Sequence, residues 1–238
     1  MLGRRSFGLQ SRSLGDANGN GPVVPGVDLP SGYETLPFVN LNNTRGSLDY
    51  TATGAYIDTG VRATDELKVE LAAKVDRVMT GLNWPTILGA GSYDNSPDWV
   101  QLRNLHGENG PTVAFGRQSD IDCRLLDLDK RFDRLEISVD KRGCEVCGNL
   151  TPFPKNVGTF SCPYSLLLGC NRYGTRKDRS FRGLIYYCRL YLADEMVRYF
   201  VPAMRSSDSV AGLYDVVEGV FYPSANSSVP FTANDVNV

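Results

Sequence analysis

The chain has 238 residues, 42% of them hydrophobic and 22% charged, with 24 glycines and 13 prolines. That length allows a sizeable core, and the Gly and Pro content suits a turn-rich β protein. The 25 Lys and Arg against 27 Asp and Glu leave a net charge of −2, without the basic surplus of a nonspecific nucleic-acid binder, and no apolar run approaches the ~18 residues of a membrane helix.

Residues 1–28 stand apart. They are rich in Gly, Ser and Asn, show no sustained periodicity, and hold too few large apolar residues to fold alone. The first twelve carry Arg4, Arg5 and Arg12 with no acid, together with Leu2, Phe7 and Leu9. A solvated tail is the plain reading. The preferred one is an arm that orders on a partner, its arginines supplying charge and its three apolar residues filling pockets. No apolar core follows Arg4-Arg5, so a secretory signal is not expected.

Beyond the arm, a strand is expected around Glu34–Val39, and a short one at Tyr56-Ile57-Asp58-Thr59-Gly60 ending at the glycine. Between Thr64 and Leu82 two periods compete. Leu67, Val69, Leu71, Ala73 and Val75 alternate as a strand does, while Leu67, Leu71, Val75, Val78 and Leu82 share a helical face. The pattern leaves both open. Val100–Leu105 and Thr112–Gly116 read as strands around a turn, and Asp127 and Asp129 as the solvated face of another. Leu135, Ile137 and Val139 alternate with polar residues up to Lys141-Arg142-Gly143, where the chain turns back through Cys144–Gly148. Thr151–Pro163 reads as loop, Leu166–Gly169 as a buried strand, and Asn171–Arg179 as a basic polar loop.

The C-terminal stretch is the most strongly patterned. Leu184, Tyr186, Cys188, Leu190 and Leu192 are placed on one face of a strand and Ile185, Tyr187, Arg189 and Tyr191 on the other. Ala193-Asp194-Glu195 turns the chain, Met196–Val201 alternates up to Pro202, and Gly212–Val217 and Val220–Tyr222 flank a turn at Glu218-Gly219. Successive hairpins imply an antiparallel sheet. The six cysteines (Cys123, Cys144, Cys147, Cys162, Cys170, Cys188) are read mainly as reduced core thiols. A disulfide is the weaker alternative in a chain too large to need a framework, and zinc is weaker still beside a lone CxxC and one histidine, His106.

These segments carry a resemblance. Gly183-x-Ile185-Tyr186 with Leu190-Tyr191, then Val197-Arg198-x-Phe200-Val201-Pro202-Ala203, then Gly212-Leu213-Tyr214-Asp215-x-Val217-x-Gly219-Val220-Phe221-Tyr222 resemble the C-terminal half of laminin-G-like, concanavalin A-like jelly-roll domains. The variant is that of tailed-phage virion proteins and gut-bacterial surface proteins. Leu29-Pro30-Ser31-Gly32-Tyr33, Tyr56–Gly60 and Leu167-Leu168-Gly169-Cys170-Asn171 match its earlier motifs. The resemblance implies an all-β, antiparallel two-sheet sandwich over residues 29–238 behind the extended arm of residues 1–28, and it places a strand over Thr64–Leu82.

Function follows less directly, because this sandwich hosts lectins, glycosidases, adhesins and passive modules. Retaining glycosidases need two carboxylates ~5–5.5 Å apart, and the family's Glu-x-Asp-x-x-Glu strand is absent; Asp127-Leu128-Asp129 lacks the glutamate. A non-enzyme is expected. Laminin-G-like domains often hold calcium at the rim, for which Asp94, Asp98, Asp120 and Asp122 are the loop candidates; no other cofactor is expected. Lectin-like binding would use Trp99 and Tyr93 first, then Trp84 and Tyr173, with core packing as the competing role of both tryptophans. The resulting expectation is a virion structural protein (capsid decoration, fibre or tail component). It would be held on other virion proteins by its arm, homo-oligomeric, and displayed at the particle surface toward host glycans, with no nucleic-acid partner and no membrane insertion. A carbohydrate-binding module of a bacterial cell surface is the alternative, and a divergent glycosidase a more distant one.

Overall fold

The computed structural model describes residues 27–41, 54–76, 85–91, 98–103, 105 and 110–234. The arm residues Leu2, Arg4, Arg5, Phe7, Leu9 and Arg12 lie outside them. The described chain is all-β and antiparallel, a jelly-roll-like sandwich with no α-helix. Its strands are β1 (Tyr33–Thr35), β2 (Val39–Leu41), β3 (Ile57–Thr64), β4 (Leu67–Val75), β5 (Thr86–Ala90), β6 (Val100–Arg103), β7 (Thr112–Phe115), β8 (Gln118–Asp122) and β9 (Leu135–Asp140). They continue as β10 (Gly143–Val146), β11 (Asn149–Pro152), β12 (Ser161–Leu168), β13 (Asn171–Tyr173), β14 (Arg176–Asp178), β15 (Gly183–Leu192), β16 (Glu195–Arg205), β17 (Val210–Asp215) and β18 (Val220–Tyr222).

A ten-stranded sheet runs β11-β10-β9-β4-β15-β16-β17-β18, with β1 added on β16 and β2 on β15; a six-stranded sheet runs β3-β12-β5-β6-β7-β8. The period-two pattern explains the core between them. On β4, Leu67, Val69, Leu71, Ala73 and Val75 are buried in the main apolar cluster, and on β9 Leu135, Ile137 and Val139 join them. Within the ambiguous Thr64–Leu82 stretch, Leu67–Val75 is thus a strand, the helical alternative losing there because every second residue meets the opposite sheet; residues 77–82 lie outside the described ones. The N-terminal strands β1 and β2 close against β16 and β15, and Asn40 exchanges backbone hydrogen bonds with Thr232 near the other end of the chain.

Several local expectations are corrected. On β15 the register shifts between Ile185 and Tyr187, so the strand changes face: Cys188 and Leu190 point into the core, whereas Leu184 and Tyr186 pack outside with Phe38. A bulge adds one residue and so inverts the alternation beyond it. The strand of Met196–Val201 does not stop at Pro202 but runs to Arg205, and the Pro202 carbonyl accepts from the Leu36 N–H at 3.0 Å. Asp127 and Asp129 are not on a strand. The Asp127 carboxylate accepts from the Asp129 N–H and caps a short 3-10 helix, Leu128–Phe132, the local bonding by which Asp displaces extended backbone. Val216 and Val217 sit exposed in the β17–β18 turn rather than on a strand. The segment Thr151–Pro163 contributes to β11 and β12 at its ends, and the expected basic loop at Asn171–Arg179 is the hairpin β13–β14.

Candidate functional site

The outer face of the six-stranded sheet is built by β5 and β6. On β6, Val100 and Leu102 face the core, which sends Gln101 and Arg103, with Trp99 just before them, to the outside. Cross-strand partners continue that face: Gly89 lies opposite Gln101 and Thr86 opposite Arg103 on one side, Ala114 and Thr112 on the other. Facing outward does not expose them. Gln101 is fully buried and Arg103 is 2% exposed, because the β13–β14 hairpin folds over this face.

Two glycines make room on this face, Gly89 for the hairpin's Asn171 and Gly91 for Trp99. A Cβ on Gly89 would stand 2.5 Å from Asn171 Oδ1, and one on Gly91 would stand 2.7 Å from the Trp99 Cβ; only glycine permits both approaches. Gly91 also bridges the hairpin through its backbone, donating to the Arg172 carbonyl at 2.8 Å and accepting from the Gly174 N–H at 3.1 Å. Arg172 Nη1 donates to Asp58 Oδ2 and to Ser165 Oγ, each at 2.8 Å, and Lys177 Nζ donates to the Tyr56 hydroxyl at 2.6 Å.

Beneath the hairpin lies a connected polar network. Gln101 Nε2 donates to Asn171 Oδ1 at 3.1 Å and to the Tyr173 hydroxyl at 2.9 Å, and Arg103 Nη1 donates to Gln101 Oε1 at 2.7 Å. Asn171 Nδ2 donates to Asp178 Oδ1 at 3.4 Å, Arg176 Nη2 is 3.5 Å from Asp178 Oδ2, and the Arg179 guanidinium lies 5.2 Å from the centre of the Tyr173 ring. Burial pushes the Arg103 guanidinium down to about 10 and the neighbouring Arg179 charge adds to this, against Tyr173 and Asp122. Burial likewise raises the Asp178 carboxyl, more than Arg179, Asn171 and Arg176 lower it. Arg179 holds φ 52, an uncommon conformation for a side-chain-bearing residue and one found at ligand sites. Its own carbonyl accepts from the Thr86 N–H at 2.7 Å, which ties this turn to β5.

Of the residues singled out for sugar binding, the structure brings Trp99 and Tyr173 together, one on each side of Gly91. Trp99 is half-buried at the rim, while Tyr173 is buried with its hydroxyl engaged by Gln101. Tyr93 and Trp84 lie outside the described residues. Of the calcium candidates, Asp94 also lies outside them and Asp120 falls within β8. Asp98 is half-buried next to Trp99, and exposed Asp122 accepts from Thr112 Oγ1 at 3.0 Å. Among the described residues, no group of three or more His, Cys, Asp and Glu side chains is placed to hold a metal ion. Gln101, Arg103, Asn171, Asp178 and Arg179 were not legible as a site, since Val-Gln-Leu-Arg reads as an ordinary strand with one wet face.

No family model and no curated protein matches the chain. Trp99 is the half-buried rim of this face, while Gln101, Arg103, Asn171 and Asp178 are buried beneath the hairpin. A half-exposed indole offers a flat apolar surface, and beside it amide, guanidinium and carboxylate groups are held in fixed orientation by one another.

Proposed function

We propose that the chain is a non-enzymatic structural protein of a tailed-phage virion, held by its N-terminal arm on other virion proteins and displaying a lectin-like sandwich toward host-surface glycans. The observation that carries this reading is the opposition of two faces. The chain enters the sandwich at Val27 and Leu29, which pack with Tyr33 and Phe221 on Tyr199, Val201, Ala203 and Tyr214. These residues lie on the outer face of the ten-stranded sheet, since Phe200 between them points into the core. The Trp99–Gln101–Arg103 row lies on the outer face of the other sheet. An arm bound behind the first face leaves the second directed away from the particle. The motifs around Gly183, Val197 and Gly212, similar to those of laminin-G-like virion domains, supply the virion setting.

Deletion of residues 1–26 tests the reading. It leaves Val27, Leu29 and every described strand in place, so the truncated chain should fold and stay soluble yet be missing from purified particles that incorporate the full chain. Truncated protein recovered in particles at the full-length level would overturn the anchoring role.

A further inference from the structure

We infer that Cys123 and Cys144 are the two halves of a disulfide that joins the two sheets of the sandwich once the chain reaches an oxidising medium. Cys123 directly follows β8, the edge strand of the six-stranded sheet; Cys144 is the second residue of β10 in the ten-stranded sheet. Both are free, fully buried, and members of the same core cluster.

The backbone holds them side by side. Cys144 lies opposite Thr151 on β11, and the Thr151 hydroxyl accepts from the Arg124 N–H, one residue after Cys123, at 2.8 Å. Asn149 Nδ2 donates to the Arg124 carbonyl at 2.7 Å, and the Cys123 N–H donates to the Pro111 carbonyl at 2.6 Å. The Cys123 thiol donates to the Ile121 carbonyl at 3.9 Å, and the neighbouring Cys144 thiol, ahead of burial, raises it far above its ordinary range. Of the other cysteines, Cys162 and Cys188 share the core cluster but sit on other strands, and Cys170 lies in a separate cluster. Cys162 is on β12, Cys170 packs with Tyr56 and Leu167, and Cys188 is on β15. Cys147, three residues beyond Cys144, is exposed in a turn at φ 49.

Bond formation needs a second disulfide as oxidant. The thiolate of one cysteine attacks a low-molecular-weight disulfide, expelling one small thiol and leaving a mixed disulfide. The other cysteine then displaces the second small thiol and closes the Cys123–Cys144 bond. Two protein thiols are oxidised and one small disulfide is reduced to two thiols. Both sulfurs are buried in the closed fold, and the raised Cys123 thiol reacts slowly there, so the bond forms during folding, when both sulfurs are open to the reagent.

The full-length protein, refolded from denaturant in a reduced and oxidised glutathione buffer, provides the test. Four thiols should titrate after renewed denaturation, the six of the sequence less the two joined. Non-reducing peptide mapping should link the Cys123 and Cys144 peptides. The oxidised form should melt about 5–10 °C above the same protein in dithiothreitol, as expected for closing a loop of this length in a domain of this size. Cys144→Ser should lose both the linkage and the oxidation-dependent part of the melting shift while remaining folded in dithiothreitol. Six free thiols after redox refolding, or a linkage confined to other cysteines, would overturn the inference.

Discussion

Gln101 is fully buried and its side chain holds three hydrogen bonds, to Asn171, Tyr173 and Arg103. A buried polar network is stable only when its members satisfy one another, so the cost of a substitution depends on what is left behind. Gln101→Leu removes the carboxamide acceptor of a buried guanidinium and the donor to two further groups, and should cost about 2–4 kcal/mol. Tyr173→Phe removes one hydroxyl and leaves Gln101 Nε2 its bond to Asn171, and should cost about 1 kcal/mol. Guanidinium denaturation of the two variants checks the difference. Equal costs would show that the amide is not the hub of the network. The same logic explains Asp215 in the Gly-Leu-Tyr-Asp motif, whose buried Oδ1 accepts from the N–H groups of Tyr199 and Val217, each at 3.0 Å.

At the scale of elements, the outer face of the ten-stranded sheet carries a ladder across β4, β15 and β16. Lys68 Nζ meets Glu70 Oε1 at 2.6 Å, the Tyr191 hydroxyl donates to Glu70 Oε2 at 3.0 Å, and Arg189 Nη2 donates to the Tyr199 hydroxyl at 3.1 Å. Burial alone would raise the Glu70 carboxyl, but Lys68, Tyr191 and Arg189 outweigh it and hold it below its ordinary value. Asp58 and Asp140 are held low in the same way, burial being overcome at Asp58 by Ser165, the Gly60 N–H and Arg172, and at Asp140 by Arg142 and Lys68. A carboxyl lowered in the fold contributes stability that is present above the unfolded value, about 4, and lost as pH falls through the folded one. Asp178, raised by burial, works in the opposite sense and offsets part of that loss. The urea midpoint at low salt should therefore fall as pH drops from about 5 toward 3, and Glu70→Gln should make that fall shallower. An unchanged slope in the variant would remove Glu70 from the acid response.

At the scale of the whole molecule, the chain's entry and the Trp99 face lie on opposite outer surfaces, separated by two sheets and a core. Groups so far apart and without shared partners act additively, so anchoring and adhesion should separate cleanly. The chain lacking residues 1–26 should retain glycan on an array as well as the full chain does. Trp99→Ala should lower that retention about tenfold or more, the loss of one stacking surface, yet still enter particles. Loss of both properties in either variant would mean that one surface serves both.

Hydrophobic periodicity made the strands β6, β7, β9 and β10 legible, because a two-residue alternation has one mechanical meaning once its face meets a second sheet, whereas at β4 two periods competed and only the resemblance placed a strand. The hairpin at Lys141-Arg142-Gly143 and the turn at Ala193-Asp194 were legible for a similar reason, since local turn chemistry sets them; Ala193 and Asp194 take the paired positive φ of a tight two-residue turn. Tertiary structure alone decided the bulge in β15, which exchanges the faces of Leu184 and Cys188 through pairing with β4 and β2. It also decided the burial of Gln101 and Arg103. Their alternation marks an outer face, and only the β13–β14 hairpin, admitted by Gly89 and bonded to the Gly91 backbone, converts that face from wet surface into a closed polar site. Sequence pattern reports which way a side chain points; whether water or protein lies in that direction depends on residues some seventy positions away.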